Sequence, residues 1–202
     1  DITATIENRK PNFALLEKIT SECFMPLGYG GGIRDMDDIR RLLKIGVEKI
    51  ILNAAAVQNP SLIREAANYA GSQAVVISID VKKSLFGKYE VYIHSGAKNT
   101  KLDPVPFAVE MEKQGAGEIF INSIDHDGAM QGYDLGLIKR ISSAINIPLV
   151  ACGGAGNIQH LAEAIQAGAS AAAAGSMFVF QGPLRGVLIS YPAQAELRKA
   201  IP

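Results

Sequence analysis

The sequence lacks tryptophan, has only two cysteines and three histidines, and carries no net charge. Its 20 basic and 20 acidic residues balance, which excludes an overall basic field that would attract nucleic acid or anionic lipid. No apolar run approaches the roughly 18 residues that a membrane span needs. Cys23 and Cys152 show no metal-ligand spacing, and no secretory signal pattern precedes Ile2, so we expect reduced thiols, a cytoplasmic location, and neither metal nor cofactor.

The residues that are present predict one α/β domain covering 1–202. Hydrophobic residues make up 48% of the chain, enough for a single large core. Short apolar runs alternate with helical patterns without interruption, which is typical of parallel strands covered by helices. The predicted strands are Met25–Tyr29, Lys49–Leu52, Ala74–Asp80, Glu118–Asn122, Leu149–Cys152 and Ala171–Ala174.

Seven helices are expected before, between and after these strands. They are Asn12–Cys23, Met36–Lys44, Pro60–Ala70, Val105–Gln114, Leu135–Ile145, Ile158–Ala167 and Arg185–Ile189. Asp35 stands at an N-cap position, and Pro60 follows a second cap residue, so these helix starts are chemically defined. The segment 81–101 breaks the alternation and is interpreted as a β-hairpin with its turn around Phe86 and Gly87.

One pattern occurs twice in the chain, 122 residues apart. Gly31-Gly32 is followed by Asp35, Gly46 and Asn53 in the first copy, and the corresponding residues of the second are Gly153-Gly154, Asn157, Gly168 and Gly175. Each copy indicates a strand end, a glycine turn, a helix and the next strand end. Twice the spacing exceeds the length of the chain and approaches the roughly 250 residues of a (β/α)8 barrel. We therefore expect a TIM barrel of two half-barrel repeats, here lacking strand 1, helix 1 and most of strand 2.

In such a barrel the reactive groups lie at the carboxyl ends of the strands. Glycines there let the backbone approach a phosphate, so the two glycine turns predict a ligand with a phosphate at each end. The alternative is that these glycines only make turns, but the matched spacing from Gly32 to Asn53 and from Gly154 to Gly175 argues for binding. Asp80 ends an apolar strand and is the predicted general acid or base, although pairing with Lys82 or Lys83 would be a structural alternative.

Two further groups of charged residues are noted. Asp125 and Asp127 follow the next strand and would bring more carboxylates to the same rim, while His126 between them is interpreted as a solvated loop residue. Lys49 and Glu118 begin their strands instead of ending them, which places opposite charges at the other mouth of the barrel. A role in stability is the default there, and a gate around an axial passage is the alternative.

These residues resemble the cyclase subunit family of imidazole glycerol phosphate synthase. The resemblance covers essentially the whole chain and is carried by Asp1-Ile2-Thr3-Ala4, Gly30-Gly31-Gly32-Ile33, Asn53-Ala54-Ala55-Ala56-Val57, Gly71-Ser72-Gln73-Ala74, Gly115-Ala116-Gly117-Glu118, Ser123-Ile124-Asp125 and Gly153-Gly154-Ala155-Gly156. It implies a duplicated half-barrel that takes ammonia from a glutaminase docked at its amino-terminal face. The ammonia would cleave and cyclise a bis-phosphorylated formimino-aminoimidazole-carboxamide ribonucleotide, a step of histidine biosynthesis.

The resemblance also implies residue roles. Asp80 is similar to the catalytic acid or base of the family, and Lys49 with Glu118 to its ammonia gate. The residues implied to bind substrate or phosphate are Gly32, Asn53, Ala54, Ser95, Asp127, Gly128, Gly153, Gly154, Gly175 and Ser176.

The sequence departs from the family at three rim positions. Ala54 stands where a hydroxyl residue is common, Asn122 where Thr is common, and Cys152 where Ser is common. Phrases such as 81–87 and 188–192 are more similar to a paralogous branch that delivers ammonia for amidation of surface-polysaccharide sugars. A third hypothesis is an inactive fragment, because a barrel without strand 1 would have unpaired edges. All three hypotheses stay open at this stage.

Overall fold

The computed structural model describes residues 1–84, 87–182 and 184–201. Its strands, in chain order, are β1 Gly28–Gly30, β2 Lys49–Leu52, β3 Val75–Lys83, β4 Tyr89–Ile93, β5 Lys98–Asn99, β6 Glu118–Ser123, β7 Leu149–Cys152, β8 Ala171–Ala172, β9 Phe180–Gln181 and β10 Gly186–Val187. The helices are α1 Phe13–Glu22, α2 Met36–Lys44, α3 Ala54–Gln58, α4 Ser61–Ala70, α5 Pro104–Gln114, α6 Leu135–Ser142, α7 Ile158–Gln166, α8 Ser176–Val179 and α9 Gln194–Ala200.

Six of these strands form one parallel sheet, which confirms the predicted α/β class. They are hydrogen-bonded in the order β1-β2-β3-β6-β7-β8, with helices joining neighbours. All six predicted strands are present, with ends shifted by up to three residues. Because neighbouring strands run in the same direction, every loop that follows a strand lies at the same edge of the sheet. We call this edge the rim.

The β-hairpin predicted for 81–101 is present. The outer part of β3 continues past Asp80 and pairs antiparallel with β4, with Lys83 opposite Tyr89, and β5 then pairs with β4. β3 thus extends beyond the parallel sheet, and the chain returns above the rim as β4. The predicted turn falls partly on Leu85 and Phe86, which lie outside the described residues.

The helix predicted for Arg185–Ile189 is wrong. Gly186 and Val187 form β10, which pairs antiparallel with β9, and the backbone nitrogen of Leu188 donates to the carbonyl oxygen of Val179. Arg185 has a left-handed φ of 50°, which a helix cannot accommodate, so the apolar run continues as a strand. A helix follows later, as α9, and was not predicted.

The two faces of the parallel sheet differ in burial. The side chains of Ile50, Leu52, Ile77, Ile79, Ile119 and Ile121 lie on the face that the helices cover, and none is more than 2% exposed. The opposite face carries Ile51, Ser78 and Phe120, which alternate with them and stay partly exposed. The expectation of full cover on both faces therefore holds only for the helix side, and the second face opens onto a cavity. No helix in the described parts of the chain is long and apolar enough to cross a bilayer.

Candidate active site

A cavity of about 700 Å³ opens at the rim, above β1, β2 and β3. Six of the residues predicted to form the site line it: Gly32, Asn53, Ala54, Asp80, Ser95 and Asp127. The first glycine turn, the predicted catalytic carboxylate and the loop after β6 are thus brought together although they are up to 95 residues apart in the chain. The volume is in the usual range for a small-molecule site.

Asp80 occupies the wall of this cavity, where the parallel part of β3 ends. The amide nitrogen Nδ2 of Asn53 donates to its Oδ2 at 3.4 Å, and Nδ2 of Asn122 donates to its Oδ1 at 3.3 Å. Among the described residues no ion pair joins Asp80 to Lys82 or Lys83, so the structural alternative finds no support. Burial raises the pKa of the Asp80 carboxyl, opposed by the Asn122 hydrogen bond and reinforced by the charge of Asp127.

The two aspartates of the loop after β6 point to different places. Asp127 lines the same cavity as Asp80, whereas the Oδ2 of Asp125 accepts a hydrogen bond from the backbone nitrogen of Lys83 at 2.9 Å. Asp125 therefore holds the hairpin in place and is not brought into the site. Half-buried His126 places its Nδ1 2.8 Å from the hydroxyl oxygen of Ser123, so it has a packing role in addition to its loop position.

The glycine turn after β1 needs glycine for a steric reason. Gly32 has φ +71°, and a Cβ there would lie 2.5 Å from the carbonyl oxygen of Arg9. Asn53, which also lines the cavity, stands at the N-cap position of α3, and its Nδ2 donates to the carbonyl oxygen of Ser78 at 3.0 Å. Ser95 adopts a left-handed φ of 55°. Its hydroxyl donates to the carbonyl oxygen of Ile2 at 2.9 Å.

Five predicted residues share the rim but do not line the cavity: Gly128, Gly153, Gly154, Gly175 and Ser176. Gly154 has no room for a side chain, because a Cβ there would lie 2.0 Å from the carbonyl oxygen of Gly132. Gly175 is open, since no heavy atom of the described residues lies within 4 Å of a Cβ built on it. Gly128 and Ser176 are neighbours, because a Cβ on Gly128 would lie 3.9 Å from the Ser176 hydroxyl oxygen. They form a second surface beside the cavity.

The two segments that share the sequence pattern also share local geometry. Asp35 and Asn157 are both extended N-cap residues whose side chains accept a hydrogen bond from the backbone nitrogen three residues later. Gly46 and Gly168 follow the two helices with φ of 98° and 108°. Asn53 and Gly175 then precede short helices with φ of −119° and −117°.

The cavity is also lined by residues that were not predicted to form the site: Asp1, Arg34, His94 and Asn122, of which Asn122 was noted only as a departure from the family. Arg34 is exposed there, and it comes two residues after Gly32, so its position beside a predicted phosphate site was a usable signal. His94 has a left-handed φ of 55°, which is uncommon for a residue with a side chain and is often found at functional loops. No sequence feature pointed to His94.

Lys49 and Glu118 form an ion pair at the opposite end of the sheet. The two residues begin β2 and β6, which flank β3, so their side chains meet across the start of that strand. The Lys49 side chain is 43% exposed and that of Glu118 is 18% exposed. The two residues predicted to form the gate are therefore in direct contact.

The two cysteines are free thiols. Cys152 ends β7 within the influence of both Asp80 and Asp127, and burial, reinforced by these charges, raises its pKa from 9.0 to about 11. The thiol is therefore neutral near pH 7 and a poor nucleophile. Within the described ranges no group of three or more His, Cys, Asp or Glu residues is placed to hold a metal ion.

The sequence of this chain is similar to those of known proteins. Residues 1–184 match the family described as "Histidine biosynthesis protein". The chain is 47% identical over 194 residues to "Putative imidazole glycerol phosphate synthase subunit HisF" of Leptospira borgpetersenii, covering 95% of this chain and 76% of that protein. It is 45% identical over 193 residues to "Putative imidazole glycerol phosphate synthase subunit hisF2" of Pseudomonas aeruginosa, covering 95% and 77%. It is 48% identical over 179 residues to "Imidazole glycerol phosphate synthase subunit HisF" of Alkaliphilus metalliredigens, covering 88% and 71%.

Proposed function

The chain belongs to the histidine biosynthesis protein family, and from this membership and the cavity around Asp80 we propose that it is the cyclase subunit of imidazole glycerol phosphate synthase. In this role it uses ammonia released from glutamine. The substrate is a bis-phosphorylated formimino-aminoimidazole-carboxamide ribonucleotide, and the products are imidazole glycerol phosphate and aminoimidazole carboxamide ribotide. The alternative, ammonia delivery for sugar amidation, is not favoured, since the relatives reported above carry the synthase name.

The fold proposed for this activity is a (β/α)8 barrel of two half-barrel repeats, of which residues 1–202 form a single domain. The matched geometry of the two glycine-turn segments supports the duplication. The parallel sheet supports the barrel, because in a closed barrel the inner face of such a sheet surrounds the axis and the rim forms one end.

Asp80 is the proposed general acid and base. It accepts a proton from the nitrogen that attacks the substrate and returns a proton to the nitrogen that leaves. Burial raises its pKa toward neutrality, where a carboxylate exchanges protons most effectively. This partly buried carboxylate on the cavity wall, beside a glycine turn, is the observation that carries the proposal.

Two phosphate sites flank Asp80 in this proposal. Gly32, Asn53, Ala54 and Ser95 form the first, and the exposed guanidinium of Arg34 adds the positive charge that a phosphate needs. Gly128, Gly153, Gly154, Gly175 and Ser176 form the second. The Asp127 carboxylate would repel a phosphate, so we assign it to accept a hydrogen bond from a hydroxyl or nitrogen of the substrate between the two sites.

The names of the relatives describe subunits of a synthase, which implies a partner subunit. We propose that this partner is a glutaminase and that it docks at the amino-terminal end of the sheet. Lys49 and Glu118 then act as a gate through which ammonia enters the barrel. The contact of these two side chains across β3 supports the gate, because opening it requires only rotation of a partly exposed lysine.

Exchange of the Asp80 carboxylate for an amide tests the function. In Asp80→Asn, turnover of the bis-phosphorylated ribonucleotide with ammonium salt is expected to fall by about 10²-fold or more, because the proton-transfer group is lost. The matched control is Asp125→Asn, whose side chain can still accept the Lys83 hydrogen bond outside the cavity, and it is expected to keep its activity. Near-normal turnover by Asp80→Asn would contradict the assignment.

A further inference from the structure

Asn122 contacts Asp80 from the neighbouring strand. The two residues are register partners in the parallel pairing of β3 and β6, and Nδ2 of Asn122 lies 3.3 Å from Oδ1 of Asp80. Nδ2 of Asn53 lies 3.4 Å from the other oxygen. Each oxygen of the carboxylate therefore accepts one amide donor. Asn53 directly follows β2 and Asn122 lies on β6, the two strands that flank β3.

The other end of the Asn122 amide has no use in the packing. Its Oδ1 is buried and has no hydrogen-bond partner among the described residues. Gly153 closes over it, since a Cβ built on Gly153 would lie 2.9 Å from this oxygen. Buried polar atoms are rarely left unpaired in folded proteins, and those that are frequently occur at functional positions. The hydrogen bond to Asp80 is thus the interaction that accounts for an amide at this position.

We propose that Asn122 is a positioning residue, which together with Asn53 holds the Asp80 carboxylate in one orientation on the cavity wall and favours its ionised form. The inference rests on the proposed role of Asp80 and goes beyond it by assigning Asn122. The residue acts through Asp80 and does not itself touch the reacting atoms.

Other charged and titratable groups surround Asp80. Those on the elements packed against it or on the cavity lining are Tyr92, which is its register partner on β4, and Asp127, Cys152, Asp1, Arg34 and His94. Asp127 opposes ionisation of Asp80, and burial opposes it more strongly, whereas the Asn122 hydrogen bond favours it. Removal of the Asn122 donor leaves both opposing effects in place. The pKa of Asp80 must then rise.

The test compares Asn122→Leu with the unchanged protein. Leu has nearly the same shape and removes both the donor and the unpaired oxygen, so the melting temperature is expected to stay level or rise. The pKa of Asp80, followed by carboxyl ¹³C NMR and assigned by its absence in Asp80→Asn, is expected to rise by about one unit. The acidic limb of the ammonium-dependent pH profile should move upward by the same amount. Asn122→Ala provides a second variant if Leu does not fold, and Asn68→Leu, on the exposed side of α4, is the control.

An unchanged Asp80 pKa in both variants would overturn the inference, whatever happens to the activity. A large loss of stability with an unchanged pKa would likewise assign Asn122 a structural role. If the unchanged protein does not turn over the ribonucleotide, the proposed function fails, but the NMR titration still decides whether Asn122 positions Asp80.

Discussion

Gly175 offers the sharpest test of the second phosphate site, because its conformation permits a side chain. Its φ is −117°, which any residue can adopt, and in the part of the chain that the structure describes no heavy atom lies within 4 Å of a Cβ built there. Gly175→Ala should therefore fold normally. A Gly to Ala change at a compatible position usually stabilises a protein by about 0.4–1 kcal/mol through the unfolded chain.

Binding is expected to respond in the opposite direction. If a phosphate approaches the backbone at Gly175, the new methyl group occupies the space of a phosphate oxygen and removes one hydrogen bond to a charged group. Such a bond is worth about 1.5–3 kcal/mol, which corresponds to a KM increase of roughly 10- to 150-fold. Steady-state kinetics with the bis-phosphorylated ribonucleotide and ammonium salt measure this directly.

Two further variants serve as controls for this measurement. Gly136→Ala, on α6, has an ordinary backbone conformation and a Cβ that would contact the Asp134 carboxylate at 3.4 Å, so its KM should not change. Gly154→Ala would place a Cβ 2.0 Å from the carbonyl oxygen of Gly132 and is expected to unfold the rim, so it reports on packing and not on binding. A Gly175→Ala protein with normal stability and normal KM would refute the second phosphate site.

Two other predictions concern the gate and the thiol. Lys49→Met should lower glutamine-dependent turnover more than ammonium-dependent turnover. The melting temperature should change little, because a partly exposed ion pair contributes about 0–1 kcal/mol to stability. Lys44→Met on α2 is the control, and equal losses with both nitrogen sources would contradict the gate. The pKa of Cys152 is raised to about 11, so at pH 9 only ~1% of its thiol groups are ionised, against ~50% for a thiol with the ordinary pKa of 9.0. Alkylation of Cys152 should therefore be about 50-fold slower than alkylation of a free cysteine peptide. Because the fold favours the neutral thiol, this group's contribution to stability is fully present below pH 9 and is lost as the pH rises from 9 toward 11; equal alkylation rates at pH 9 would show that the thiol is not shielded.

The sequence alone was sufficient for the α/β class, the six parallel strands and most of the helices. Local signals carried these predictions. Asp35 was recognised as a cap, and it does accept the backbone hydrogen bond that defines the start of α2. Asp80 was placed at a strand end, and in a parallel sheet that position puts its side chain at the rim. The failure at Arg185–Ile189 has the opposite cause, since a short apolar run takes the conformation that its pairing partner imposes.

Only the tertiary structure decided which rim residues meet. Strand order and register bring Asn53 and Asn122 to the two oxygens of Asp80, and neither distance follows from sequence spacing. The same packing leaves Gly154 and Gly175 beside the cavity although their spacing equals that of Gly32 and Asn53. Repeats in a sequence report the local conformation of each segment, because turns and caps depend on neighbouring residues. A shared cavity depends on where strands far apart in the chain are placed, and this is set by side-chain packing across the whole sheet.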